Sequence, residues 1–164
     1  MSNKTTWFYG LPCSGKTTIV KALDTDAVHL DGDVVREGLC NNLTFTKEDR
    51  AENLRRIAEV AKLFNKEGKD VLCTFVAPLQ EHRDLIKKII PDVRFILVDT
   101  PLAECEKRDV KGMYAKARKG IIKDFTGIGS PFEKGVPDYT IKTDKKLIDT
   151  IQDTIKCLKE IQEI

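Results

Sequence analysis

Two short stretches of the chain hold residue types whose spacing suits the handling of phosphate. The first, "GLPCSGKT" over residues 10–17, places Gly10, Gly15, Lys16 and Thr17 in the pattern G-x-x-x-x-G-K-[ST]. Glycines let the backbone curl until its N–H groups point inward at phosphate oxygens, and a helix starting there adds its positive end. Leu11, Pro12, Cys13, Ser14 and Thr18 complete the cradle, Lys16 is placed to reach the β- and γ-phosphates, and the Thr17 hydroxyl is a ligand for Mg²⁺. A nucleoside triphosphate is the expected ligand. Cys13 reads either as a thiol acidified by the helix terminus or as filler in a variable loop position.

The second stretch, "LDGDVVREGL" over 30–39, sets Asp31 and Asp33 on either side of Gly32, three residues before Arg36. Two carboxylates beside a triphosphate repel it unless they hold a metal or its water, or accept a proton. Asp31 and Asp33 are therefore assigned to binding Mg²⁺-bound water and the acceptor and to activation of an acceptor hydroxyl, with Asp33 as the base and a Mg²⁺ contact. The competing reading is an Asp-Gly turn in which Asp33 caps a short helix from Val34.

These residues need a frame that brings them to one place. Short apolar runs alternate with longer helical patterns, which predicts an α/β domain with a parallel sheet. Strands are expected at 5–9, 27–30, 70–76, 93–99 and, weakly, 138–143. The first ends at the glycine-rich loop and the second at Asp31, so both stretches belong at the carboxyl edge of the sheet, where ligands of open α/β sheets bind. Thr46, with Asp49 three residues on, predicts a helix start, and Leu54, Ile57, Ala58, Ala61 and Phe64 recur at helical spacing until Gly68. A terminal amphipathic helix over 144–164 is expected to bury Leu147, Ile148, Ile151, Ile155, Leu158 and Ile161.

Residues 117–138 break the alternation with Gly120, Gly127, Gly129 and Gly135, two prolines and several cations. A loop of that length reads as a mobile lid over the site. Phe125 and the basic residues suit an anionic, aromatic ligand.

The 164 residues, with 41% hydrophobic and 33% charged content, describe one domain able to bury a core. The 28 basic and 26 acidic residues are interspersed, giving no stripe for nucleic acid or membrane. The dispersed cysteines, five in number, point to reduced thiols and a cytoplasmic protein. The first residues, "MSNKTTWFYG", lack the apolar stretch of a signal peptide, and no run is long enough to cross a bilayer.

With the glycine-rich loop and "LDGDVVREGL", the stretches "FTKEDRAENLRR" (45–56), "VDTPLAECEKRDVKGMYAKARKG" (98–120) and "IKDFTGIGSPFE" (122–133) resemble the adenylylsulfate kinase family in order and spacing. The resemblance covers nearly the whole chain. It implies a three-layer P-loop kinase fold with a central parallel sheet of about five strands and a mobile lid. It also implies a homodimer that moves the γ-phosphate of ATP to the 3′-hydroxyl of adenosine 5′-phosphosulfate. Arg36 and Arg50 match arginines that hold the phosphosulfate, Asn53 an asparagine that fixes the nucleotide, and Phe45 and Phe125 the rings that clamp its adenine. Val76 and Lys123 fall at acceptor positions, and Arg108 matches an arginine beside the ATP base. The chain departs from the family at Ala77 (usually serine), Val110 (proline), Gly129 (aspartate) and Phe132 (tyrosine). These departures leave a related 3′-hydroxyl kinase, such as one acting on cytidine diphosphoramidate, as an alternative; a non-catalytic ATP-binding regulator is a second.

Overall fold

The structure, a computed structural model, describes residues 4–163. Its strands are β1 (Thr5–Tyr9), β2 (Val28–Asp31), β3 (Val71–Thr74), β4 (Arg94–Asp99) and β5 (Tyr139–Lys142), each within an expected span or shifted by one residue. They form a parallel five-stranded sheet in the order β2-β3-β1-β4-β5. The expected third strand stops early. Phe75–Ala77 leave the sheet and Ala77 adopts φ 39°, a left-handed conformation that carries the chain off the sheet edge.

Alternation along the strands supplies two cores. Trp7, Tyr9, Val71, Cys73, Phe95 and Leu97 face one side, where α3 (Lys47–Lys66) lays down Leu54, Ile57, Ala58 and Ala61 and α4 (Gln80–Ile89) adds Ile86. Phe8, Leu72, Ile96, Val98 and Ile141 face the other side, covered by Ile19 and Val20 of α1 (Lys16–Lys21) and Ile161 of α7 (Leu147–Glu163). Helix, sheet and helix make the three layers. The remaining helices, α2 (Gly32–Glu37), α5 (Leu102–Arg108) and α6 (Met113–Arg118), follow strand ends or their loops. Among the described residues, no helix is long and apolar enough to cross a membrane.

Helix α3 starts as its sequence predicts: the Thr46 hydroxyl accepts from Asp49 N at 3.2 Å. The Asp49 carboxylate turns outward and binds Thr44 through its N–H and its hydroxyl. The capping interaction thus extends into the loop instead of closing on Thr46.

Two expectations need correction. Leu147, Ile148 and Ile155 of α7 are exposed, and the helix packs through Thr150, Thr154, Cys157, Leu158 and Ile161 instead. The inward threonines satisfy their hydroxyls on carbonyls one turn back, Lys146 O and Thr150 O, so polar residues occupy the buried face without loss. Residue 164 of the expected span lies outside the described residues. Second, Ala117 and Arg118 belong to α6, so the lid begins after them.

Candidate active site

The glycine-rich loop joins β1 to α1 and is shaped by what surrounds it. A Cβ on Gly10 would lie 2.6 Å from Val98 O, and Gly15 takes φ 100° where the loop enters α1. The outward carbonyls are taken: Pro12 O by the Tyr114 hydroxyl at 2.7 Å, Cys13 O by Arg108 at 3.3 Å and Ser14 O by Thr100 at 2.8 Å. Holding carbonyls outward turns N–H groups inward, where α1 adds its own first-turn donors. Tyr114 and Thr100, which fasten this loop, were not singled out in the sequence, because they lie 102 and 86 residues from their partners.

Lys16 curls into this cradle, its Nζ donating to Gly10 O at 2.9 Å and Leu11 O at 2.8 Å. Burial pushes its ammonium down to about 8, against the opposing pull of Asp31 and Asp33 among others. A buried cation within a glycine-rich loop that precedes a helix is an arrangement that suits phosphate.

The two aspartates part company. Asp31 is buried at the end of β2 and caps α2, accepting from Asp33 N at 3.0 Å and Val34 N at 3.4 Å. It also accepts from Thr17 at 2.6 Å and Thr74 at 2.8 Å. Burial alone would raise its proton affinity, but these four donors outweigh it and hold the carboxyl below its usual range. The capping role considered for Asp33 therefore belongs to Asp31. Asp33 projects outward and pairs with Lys111 Nζ at 2.7 Å. Lys111 was not among the residues picked from the sequence.

A metal fits beside Thr17. Its hydroxyl hydrogen is directed at Asp31, which leaves the oxygen lone pairs for a cation. Among the described residues, no group of three His, Cys, Asp or Glu side chains forms a protein cage.

A second cluster lies where α2 and α3 approach. The Arg36 guanidinium lies 4.2 Å from the centre of the Phe45 ring and that of Arg50 5.9 Å, with Phe45 exposed. Asn53 is buried nearby on α3, its Oδ1 without a hydrogen-bond partner among the described residues. Arg50 also reaches the lid, donating to Asp124 O at 2.6 Å and to Thr126 Oγ1 at 3.2 Å. Phe125 packs edge-on against Tyr114, with centroids 4.9 Å apart, rather than against Phe45. Lys123 is exposed on the lid and Val76 half-buried after β3. Arg108 lies against the loop at Cys13.

The far limb of the lid is tied to the domain. Arg83 donates to Glu133 O at 2.5 Å and to Ala77 O at 2.6 Å, Glu133 N donates to Pro78 O at 2.7 Å, and the Tyr9 hydroxyl donates to Lys134 O. Gly129 and Phe132, two of the departures from the family pattern, line a cleft of about 460 Å³ with Leu11, Thr100 and Leu102. The Phe132 ring lies 6.3 Å from that of Tyr9. The other two are placed differently: Val110 is exposed, and Ala77 is buried with its carbonyl held by Arg83.

A parallel sheet with a phosphate loop after β1, an Asp-Gly-Asp turn after β2 and a lid define a P-loop phosphotransferase. Within that class the sequence is decisive, because the adenylylsulphate kinase family model matches residues 2–142. The chain belongs to the adenylylsulphate kinase family. It is 46% identical over 165 residues to an adenylyl-sulfate kinase of Bacteroides fragilis, covering 94% of this chain and 80% of that one. An adenylyl-sulfate kinase of Clostridium kluyveri is 47% identical over 163 residues, covering 94% and 79%. Among solved structures, the Mycobacterium tuberculosis APS kinase CysC in complex with AMPPNP and APS superposes with a TM-score of 0.90 at 42% identity, covering 96% of this chain and 98% of that one.

Proposed function

We infer that the protein transfers the γ-phosphate of ATP to the 3′-hydroxyl of adenosine 5′-phosphosulfate, giving 3′-phosphoadenosine 5′-phosphosulfate and ADP. The observation that carries this reading is that the Asp33 carboxylate lies within electrostatic reach of both Lys16 in the phosphate loop and Arg36 in the cationic, aromatic cluster at Phe45. One pocket suits a donor triphosphate and the other an anionic nucleotide acceptor.

In this reading the loop N–H groups and Lys16 hold the β- and γ-phosphates and offset charge as the phosphoryl group moves. Thr17 and Asp33 would hold Mg²⁺, which would supply charge neutralisation for the transferred phosphoryl group. Arg36 and Arg50 hold the acceptor's 5′ anion through charge-assisted forks, Asn53 offers its amide to the base, and Phe45 and Phe125 stack on it. Asp33 takes the proton from the acceptor hydroxyl as its oxygen attacks phosphorus. Lys111 pairs with that carboxylate at 2.7 Å. Arg108 borders the donor base, and the lid excludes water.

We further propose that the protein works as a cytoplasmic homodimer, as the family resemblance implies; light scattering on the purified protein tests the assembly. The activity is tested with purified protein, ATP and Mg²⁺, measuring ADP release with adenosine 5′-phosphosulfate, with cytidine nucleotides and with no acceptor. Acceptor-dependent release confined to adenosine 5′-phosphosulfate is the expected outcome. Preference for a cytidine nucleotide would assign a different acceptor, and no acceptor-dependent release would favour a regulatory role.

A further inference from the structure

His29 is not among the candidate site residues above, yet it sits two residues before Asp31 on β2, so both side chains leave the same face of the strand. The register of β2 against β3 places Asp31 opposite Thr74. His29 Nε2 lies 2.8 Å from Thr74 Oγ1, and that hydroxyl lies 2.8 Å from Asp31 Oδ2. The same carboxylate oxygen receives the Thr17 hydroxyl at 2.6 Å. Four side chains from β2, β3 and α1 thus form one chain of hydrogen bonds ending at the phosphate loop.

Proton counting gives the chain a direction. An ionised carboxylate only accepts, so the single hydrogen of the Thr74 hydroxyl goes to Asp31. The contact on the other side of Thr74 must then be a donation from His29 Nε2–H, which fixes which ring nitrogen carries the hydrogen. Direct contact between His29 and Asp31 is 3.9 Å, too long for a hydrogen bond, so His29 reaches Asp31 through Thr74. Asp31 in turn draws the hydrogen of Thr17 toward itself and leaves the Thr17 lone pairs facing the loop.

We propose that His29 is a positioning residue that acts through Thr74 and Asp31 to hold the Thr17 hydroxyl with its lone pairs toward the cation of the donor nucleotide. The proposal rests on the reading of Thr17 as a Mg²⁺ contact. Hydrogen-bond chains polarise their members, so removing the first donor frees the Thr74 hydroxyl to rotate and loosens Asp31 at the end that Thr17 uses. The loop N–H groups and Lys16 are left in place, and binding of the phosphates themselves is not touched.

The test compares ATP affinity by calorimetry, without acceptor, in EDTA and in Mg²⁺. His29→Leu should lose about threefold or more of the tightening that Mg²⁺ gives while its affinity in EDTA stays within about twofold of the parent. His29→Gln, which can present an amide N–H to Thr74, should recover most of that loss. With acceptor present, His29→Leu should raise the KM for MgATP and leave the acceptor KM unchanged. Equal weakening in EDTA and Mg²⁺, or no weakening in either, overturns the proposal. Thr17→Val separates the two levels: if it leaves the Mg²⁺ tightening intact, the metal reading itself fails. If it abolishes the tightening and His29→Leu does not, the role of His29 alone fails.

Discussion

Lys111 Nζ lies 2.7 Å from Asp33 Oδ2, so the carboxylate proposed as the base is faced by a cation from the turn between α5 and α6. That turn also carries Asp109, whose carboxylate accepts from Tyr114 N at 2.9 Å, and the Tyr114 hydroxyl in turn fastens the phosphate loop. Asp33 and the phosphate loop are thus held by the same short segment.

Replacing Asp33 by Asn keeps the shape and removes the proton acceptor. Turnover should fall by roughly 100-fold or more, with ATP affinity little changed. Steady-state rates and calorimetric ATP binding on the same preparation check this, and turnover within a few-fold of the parent would remove Asp33 from the chemistry.

Burial holds Lys16 near 8 rather than 10.5, which fixes two signs. Between those values the unfolded chain binds the proton that the folded chain has released, so Lys16 makes the free protein more stable as pH rises through that window. Bound phosphate keeps Lys16 charged, so ATP binding takes up a proton above about 8 and weakens as pH rises further. Calorimetry in buffers of different ionisation enthalpy measures that uptake, and Lys16→Met should abolish it as well as weaken binding.

Arg50 touches both Phe45, beside Arg36, and the lid. Arg50→Lys keeps the charge and loses the fork, and should lower kcat/KM for the acceptor by at least about tenfold with ATP affinity little changed. A nucleoside without the 5′ anion should react poorly with the parent and be nearly insensitive to the substitution. Equal damage to ATP and acceptor use would place Arg50 in the scaffold instead.

The two limbs of the lid are tied by different arginines, Arg50 at Asp124 and Thr126 and Arg83 at Glu133. Arg83→Leu should speed hydrogen exchange across 131–136 and leave 122–127 near the parent, whereas Arg50→Ala should do the reverse. Acceptor nucleotide should slow exchange in the Arg50-linked limb more than in the Arg83-linked one. Uniform change across both limbs would show that the lid moves as one piece.

The Thr46 cap is a local test of how the acceptor cluster is supported, since α3 carries Arg50 and Asn53 in its first turns. Thr46→Ala should cost about 1 kcal/mol of stability, read as a lowered Tm.

Much of this protein is written in patterns a few residues long. The five strands, the glycine-rich loop, the Thr46 cap and the stop at Gly68 depend on periodicity, backbone freedom or hydrogen bonds within a turn. What local pattern does not contain is the choice among distant partners. Asp31 and Asp33 are the same residue type two positions apart, yet one turns inward to Thr17 and Thr74 and the other outward to Lys111. That division follows from pairing β2 with β3 and from the α5–α6 turn arriving beside α2. Helix α7 shows the same limit: Leu147, Ile148 and Ile155 are exposed while Thr150, Thr154 and Ile161 are buried, a choice of face that its apolar residues alone do not fix. The lid, too, carries no sign of its anchors, since Arg50 and Arg83 meet it across 74 and 50 residues. Short-range chemistry is set by neighbours along the chain, whereas partners separated by tens of residues are chosen only when packing the whole sheet and its helices decides which groups meet.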